Sequence, residues 1–119
     1  MGSPVVRWQI VTPDAEGVAE FYRKLFGWSV RTDNALGYRE IATGGESGID
    51  GGVWPAPPQA TSFVQLFMQV GDIDDAIRRA TELGATVIVP KSPLPDGDTM
   101  AILRDPAGMT FGVLTTGPR

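Results

Sequence analysis

Arg7, Gln9, Glu40, Asp50 and Gln65 are the side chains around which ionic or hydrogen-bonding chemistry is best assembled in this chain. The 119 residues contain no histidine and no cysteine. Their absence removes the commonest general base and metal ligand, and with them thiolate zinc sites, nucleophilic cysteines and disulfides. Arg7 offers a planar fork suited to an anionic or carbonyl-bearing ligand, and equally suited to a carboxylate at a strand end. Glu40 and Asp50 are weak catalytic candidates. Either acts as a base only if burial raises its pKa, and the ordinary fate of a carboxylate is solvated surface. Tyr38, Trp54, Phe67 and Phe111 read as an aromatic wall for a planar ligand, or as core and interface.

The elements that position these residues repeat once along the chain. Val5-Val6-Arg7-Trp8-Gln9-Ile10-Val11 is a short β-branched and aromatic run that predicts a strand. A helix follows from Asp14 as N-cap to Gly27 as stop, with Val18, Phe21, Tyr22, Leu25 and Phe26 on one apolar face. The same grammar returns in Phe63–Val70, a strand, and in a helix capped by Asp72, faced by Ile73, Ala76, Ile77, Ala80 and Leu83, and stopped by Gly84. Asp14 and Asp72 stand 58 residues apart, about half the chain, which marks an internal duplication. The organisation expected is one domain over 1–119, with module one at 4–53, a proline-rich linker at 54–62 and module two at 63–115.

After each helix the chain turns extended, from Trp28 and again from Ala85, so each module reads βαβββ and the class is α+β. Asp96-Gly97 signals a hairpin turn, and Asp105-Pro106-Ala107-Gly108 fits a type I turn. Gly44-Gly45 and Gly51-Gly52 precede no helix, so they read as bends or bulges of a curved sheet rather than as phosphate loops. Strand alternation sends Trp8 and Ile10 under the first helix and leaves Arg7, Gln9 and Val11 opposite. By the same alternation Val64, Leu66 and Met68 go to the helix side, and Gln65, Phe67 and Gln69 face away. Polar residues in apolar strands are costly to bury unpaired, so a polar, partly open cavity is the expected place for Arg7, Gln9 and Gln65.

The net charge of −4, without a lysine or arginine run, argues against phosphate-tracking nucleic-acid binding. No stretch approaches the about 18 consecutive apolar residues that span a bilayer, so no membrane partner is expected and the cytoplasm is the expected compartment.

Asp14 with Phe21-Tyr22-Arg23-Lys24-Leu25-Phe26-Gly27-Trp28, the run Val70–Ala76 with Glu82-Leu83-Gly84-Ala85, and the closing Asp105-Pro106-Ala107-Gly108-Met109-Thr110-Phe111 resemble the glyoxalase/bleomycin-resistance (vicinal oxygen chelate) superfamily. The resemblance implies two βαβββ modules curved into a half-open mixed β-barrel, commonly completed as a homodimer. It also implies metal ligands on the first and last strands of each module. Those positions fall on Arg7, Gly52, Gln65 and Gly112, of which only Gln65 could ligate, so no metal or other cofactor is expected. The function expected is metal-independent binding of a small molecule through Arg7, Gln9, Tyr38, Glu40, Trp54, Gln65, Phe67 and Phe111. The alternatives are a metal-free isomerase, lyase or cyclase on a natural-product-like substrate, or a divergent metal-dependent lyase using Gln65 with Glu40 or Glu46.

Overall fold

The computed structural model describes residues 2–94 and 97–117. Ten elements follow in order: β1 (Val5–Thr12), α1 (Ala15–Phe26), β2 (Ser29–Arg31), β3 (Arg39–Ala42), β4 (Gly51–Pro55), β5 (Phe63–Gln69), α2 (Ile73–Glu82), β6 (Thr86–Pro93), β7 (Thr99–Arg104) and β8 (Thr110–Thr115). The α+β class and the doubled βαβββ order are those the sequence implies. Strand β4 takes in Trp54 and Pro55, the first residues of the proline-rich stretch.

Arg7–Gln65 form one compact unit, and the described residues from Leu66 onward form the other together with those up to Val6. In the first unit the strand order is β2-β3-β4-β1, with β1 and β4 parallel and the other pairs antiparallel. The second repeats it as β6-β7-β8-β5, with β5 and β8 parallel. A parallel first-to-last pairing needs a crossover, and each helix supplies it.

Local chemistry explains the helix limits. The Asp14 carboxylate accepts from the Gly17 N–H at 3.0 Å and that of Asp72 from the Asp75 N–H at 3.1 Å, so each satisfies an orphan donor of the first turn. Gly27 ends α1 in the left-handed region at φ 72°, its N–H donating to the Arg23 carbonyl. The Asp105 turn forms as expected, its carboxylate accepting from the Ala107 and Met109 N–H groups. Asp96 of the expected hairpin signal lies outside the described residues.

The core of the first unit is Ala15, Ala19, Ile41 and Val53, joined by Trp8, Ile10, Val18, Trp28 and Val30. Trp8 and Ile10 therefore do lie under the helix. The helix seam itself is shifted from the expected face: the small residues Ala15 and Ala19 are buried, whereas Phe21, Leu25 and Phe26 are more than half exposed. Small side chains let α1 approach the sheet closely, and the aromatics flank the seam, where Tyr22 stacks on Trp28 and Phe26 meets it at a tilt.

Two clusters hold the second unit. Ile73, Ala101, Leu103 and Val113 pack with Ile77 and Ala80 of α2, and Phe67, Ile102 and Leu114 pack on the other face with Val6, Val89 and Met100. Phe67 and Gln65 face as alternation requires, but Val64 and Leu66 are not covered by a helix and stay about half exposed. Ile73, at the start of α2, is that helix's buried residue, while Leu83 at its end is exposed.

Candidate functional site

Register across the first unit places side chains of three strands in one row. Gln9 of β1 pairs with Gly52 of β4, Gly52 pairs with Glu40 of β3, and Glu40 pairs with Arg31 of β2. Their neighbours Trp8, Ile10, Val30, Ile41 and Val53 face α1, so this row lies on the face turned away from the helix. Arg7 stands two residues earlier on the same side of β1, and Trp54 two residues later on the same side of β4.

Tyr38 completes the row from above. A Cβ built on Gly52 would lie within 2.5 Å of the Tyr38 hydroxyl, Cζ and Cε1, so the phenol occupies the space a side chain at 52 would need. Its ring centroid lies 5.4 Å from that of Trp54, at an interplanar angle of 49°. On the opposite face Trp8 does the same to Gly51, its ring and carbonyl lying within 2.6 Å of the built Cβ, and its Nε1–H donates to the Ile49 carbonyl. Gly51-Gly52 is therefore a regular stretch of strand closed by rings on both sides, not the bulge its composition suggests. Gly44 and Gly45 do form a bend, at φ 80° and 91°.

The loop before β3 sets Tyr38 in place. The Asn34 Nδ2–H donates to the Tyr38 carbonyl at 2.6 Å, and its Oδ1 accepts from the Leu36 and Tyr38 N–H groups at 3.1 and 3.2 Å. Asn34 is a site-building residue outside the chemistry-bearing set of the sequence, and its one local signal is an asparagine three residues before Gly37, a turn pattern.

Gln9, Tyr38, Glu40, Trp54 and Arg7 are all half-buried, accessible yet held. Glu40 adds its charge to Asp33 in holding the Arg31 guanidinium above its usual range, after the larger effect of the hydrogen bond to Asp33. Asp50 sits apart, at the end of the β3–β4 hairpin, where its Oδ1 accepts from the Thr43 N–H and hydroxyl. That is loop architecture, and Asp50 is exposed. Glu46 is exposed in the same loop.

Gln65 is 5% exposed, and its Oε1 is buried with no hydrogen-bond partner among the described residues. Phe67 is core at 2% exposure and overlies Gly112, where a built Cβ would fall within 2.8 Å of its ring. Phe111 packs with the Leu103 cluster under α2. Phe67 thus fills the space over Gly112, and Phe111 is partly buried against its cluster. Asp98, which the sequence does not single out, is buried at 2% exposure and accepts from the Gly117 N–H at 3.0 Å.

The positions the family resemblance marks for a metal do not suit one. Gly52 and Gly112 carry no donor, aromatic rings fill the space above both, and Arg7 contributes a cation. Among the described residues no group of three or more carboxylates is placed to hold an ion.

Paired βαβββ modules with parallel first and last strands define a fold of the vicinal oxygen chelate type. The chain belongs to the glyoxalase-like domain family, which matches residues 7–114. It is 26% identical over 110 residues to "Putative glyoxylase CFP32" of Mycobacterium tuberculosis and of Mycobacterium bovis, covering 86% of this chain and 41% of those proteins. The chain thus spans less than half the length of these curated relatives. Among solved structures it is similar to methylmalonyl-CoA epimerase from Mycobacterium tuberculosis, with a TM-score of 0.68, 16% identity and coverage of 96% of this chain and 88% of that one. It is also similar to the hypothetical protein BH1468 from Bacillus halodurans, with a TM-score of 0.72, 13% identity and coverage of 100% and 98%. At such identities the likeness is one of fold.

Proposed function

We propose that this glyoxalase-like domain binds a small molecule, without a divalent ion, on the face of its first module that carries Arg7, Gln9, Tyr38, Glu40 and Trp54. The observation that carries the reading is the phenol of Tyr38 laid over Gly52 between Gln9 and Glu40. It joins a hydrogen-bonding centre to an aromatic surface, the combination from which small-molecule sites are commonly built. Gln65 adds a buried amide oxygen that a ligand donor could satisfy.

A second reading, a metal-free isomerase or lyase, is favoured by one feature: Glu40 is the register partner of Gly52, over which the Tyr38 hydroxyl lies, so a carboxylate and a phenol, groups able to serve as base and acid, come to one strand position. The structural likeness to methylmalonyl-CoA epimerases is compatible with this, but the residues carry it rather than the likeness. In either reading the domain acts in the cytoplasm as a homodimer, with exposed apolar residues such as Val64 and Leu66 available to be covered by the second copy. Among the described residues no helix is long and apolar enough to cross a membrane.

Native mass spectrometry of the protein as purified tests the binding reading. A retained organic mass without metal supports it. A stoichiometric divalent ion overturns it and restores metal-dependent lyase chemistry.

A further inference from the structure

We infer that the outer face of α1 is where a second copy of this chain docks, the two helices lying antiparallel across a two-fold axis near Tyr22. The inference rests on the homodimer of the functional reading and names its contact face; it does not depend on what the first module binds. Phe21, Leu25 and Phe26 are all more than half exposed. Phe21, Tyr22, Phe26 and Trp28 are linked ring to ring at centroid distances of 5.0 to 6.0 Å. Single exposed apolar residues are ordinary, whereas a contiguous group marks an interaction surface. Helix α2 is the internal comparison. At the 58-residue offset between the caps Asp14 and Asp72, it carries Arg78, Arg79 and Glu82 where α1 carries Glu20, Phe21 and Lys24. There the exposed residues are charged and paired within the helix, Arg78 donating to Glu82 at 2.9 Å and bridging to Asp75 as well. The duplicated helix thus turns charges to solvent where α1 turns an aromatic ring.

The charges bordering this patch select a second copy as its cover. Glu20 and Lys24 stand one helical turn apart on the same border of α1, the acid toward the N-terminus and the base toward the C-terminus. Turned by half a revolution about an axis at Tyr22, that border is its own complement. Glu20 of each copy then stands opposite Lys24 of the other, and Phe21 falls between Phe21 and Leu25 of the other helix, one row of side chains in the groove of its mate. A parallel pair would set Glu20 on Glu20 and Lys24 on Lys24, which like charges oppose. Within each copy the Arg23 guanidinium donates to both Glu20 oxygens, at 2.9 and 2.6 Å, and so holds the carboxylate at the border. Three side chains about half exposed offer roughly 300 Å² per copy, against about 800 Å² per partner in a standard interface. The association is therefore a reversible one in which the charged border weighs heavily.

Sedimentation equilibrium of the full chain over a concentration series provides the test. The parent is expected to form a dimer that dissociates on dilution. Phe21→Ser, at an exposed position, is expected to weaken that dimer at least about tenfold while the far-ultraviolet circular dichroism stays that of the parent. Leu25→Ser, one turn on, is the second probe and should do the same. Glu20→Lys makes the border wholly basic and Lys24→Glu makes it wholly acidic, so each alone should weaken self-association about three- to tenfold. Mixed in equal amounts, the two charge variants should pair with each other in preference to themselves, which native mass spectrometry reads when one of them is isotopically labelled. Charge variants that show no such preference overturn the inference. A dimer that survives both serine variants, or that falls with Leu66→Ser instead, also overturns it and leaves the homodimer standing on another face. A parent that is monomeric throughout the series removes the inference and the homodimer together, and leaves the small-molecule reading untouched.

Discussion

The Tyr38 hydroxyl lies in the space that a side chain on Gly52 would occupy. The second unit repeats the arrangement with different parts, the Phe67 ring lying over its register partner Gly112. In each module a last-strand glycine is thus matched to an aromatic ring, a hydroxylated one in the first and a plain one in the second. The difference is chemical. Phe67 is fully packed core, whereas Tyr38 is half-buried and brings an oxygen to the surface.

Gly52→Ala should therefore cost more than a glycine-to-alanine change in a strand usually does. The new methyl must displace Tyr38, and overpacking of this kind costs about 1–3 kcal/mol. Removing the ring first should abolish the penalty. In a double-mutant cycle, Gly52→Ala in the Tyr38→Ala background is expected to be neutral or stabilising, with a coupling of about 0.5–3 kcal/mol read from denaturant melts. Additive effects would show that the ring and the glycine do not share this space.

Leucines at two positions separate burial from pattern. Leu103 is wholly buried in the cluster beneath α2, while Leu83 is 79% exposed although it continues that helix's apolar spacing. Leu103→Ala should cost about 2–5 kcal/mol, and Leu83→Ala no more than about 0.5 kcal/mol. Chemical denaturation of the two variants checks the order, and a comparable loss for Leu83→Ala would mean that its side chain is covered in solution, as by a second copy.

What the sequence makes legible is what depends on neighbours along the chain. Asp14 and Asp72 announce helix starts, Gly27 and Gly84 their ends, and Asp105-Pro106 a turn, because capping and turn chemistry is decided within about four residues. Alternation correctly puts Trp8 under the helix and Gln9 away from it. What escapes is decided by pairs far apart in sequence. Nothing local says that the Tyr38 ring lies on Gly52, that Phe67 fills the gap over Gly112, or that Val64 and Leu66 lie beyond the reach of a helix. The candidate site divides along the same line: Gln9 and Glu40 meet at Gly52 through register, Tyr38 is laid over it against Trp54, Asp50 is drawn to Thr43, and Phe67 and Phe111 are drawn into packing.

Acid should weaken the first unit through two exposed ion pairs. The hydrogen bond from Arg23 holds the Glu20 carboxyl below its ordinary value, and that from Arg31 does the same for Asp33. A carboxyl depressed by folding contributes stability above its unfolded-state value and loses it as pH falls through the folded one. The difference in melting temperature between the parent and Glu20→Gln, or Asp33→Asn, should therefore be present near neutrality and vanish in strong acid. High salt should shrink it as well, since both pairs are open to solvent. A difference that grows on acidification would contradict these assignments.

Gln65 should show stability and binding moving in opposite directions. Its Oε1 is buried without a partner among the described residues, and a buried acceptor left unsatisfied carries a desolvation penalty of about 1–3 kcal/mol. Methionine has nearly the same length and volume but no amide to desolvate. Gln65→Met is thus expected to raise the thermal midpoint by a few degrees. If the amide is kept because a ligand donor satisfies it, the same change weakens binding of whatever small molecule the native protein retains, by about three- to tenfold. A variant that is more stable and binds equally well would take Gln65 out of the site. One that is less stable would show that Oε1 is satisfied in solution, and its burial would then be structural.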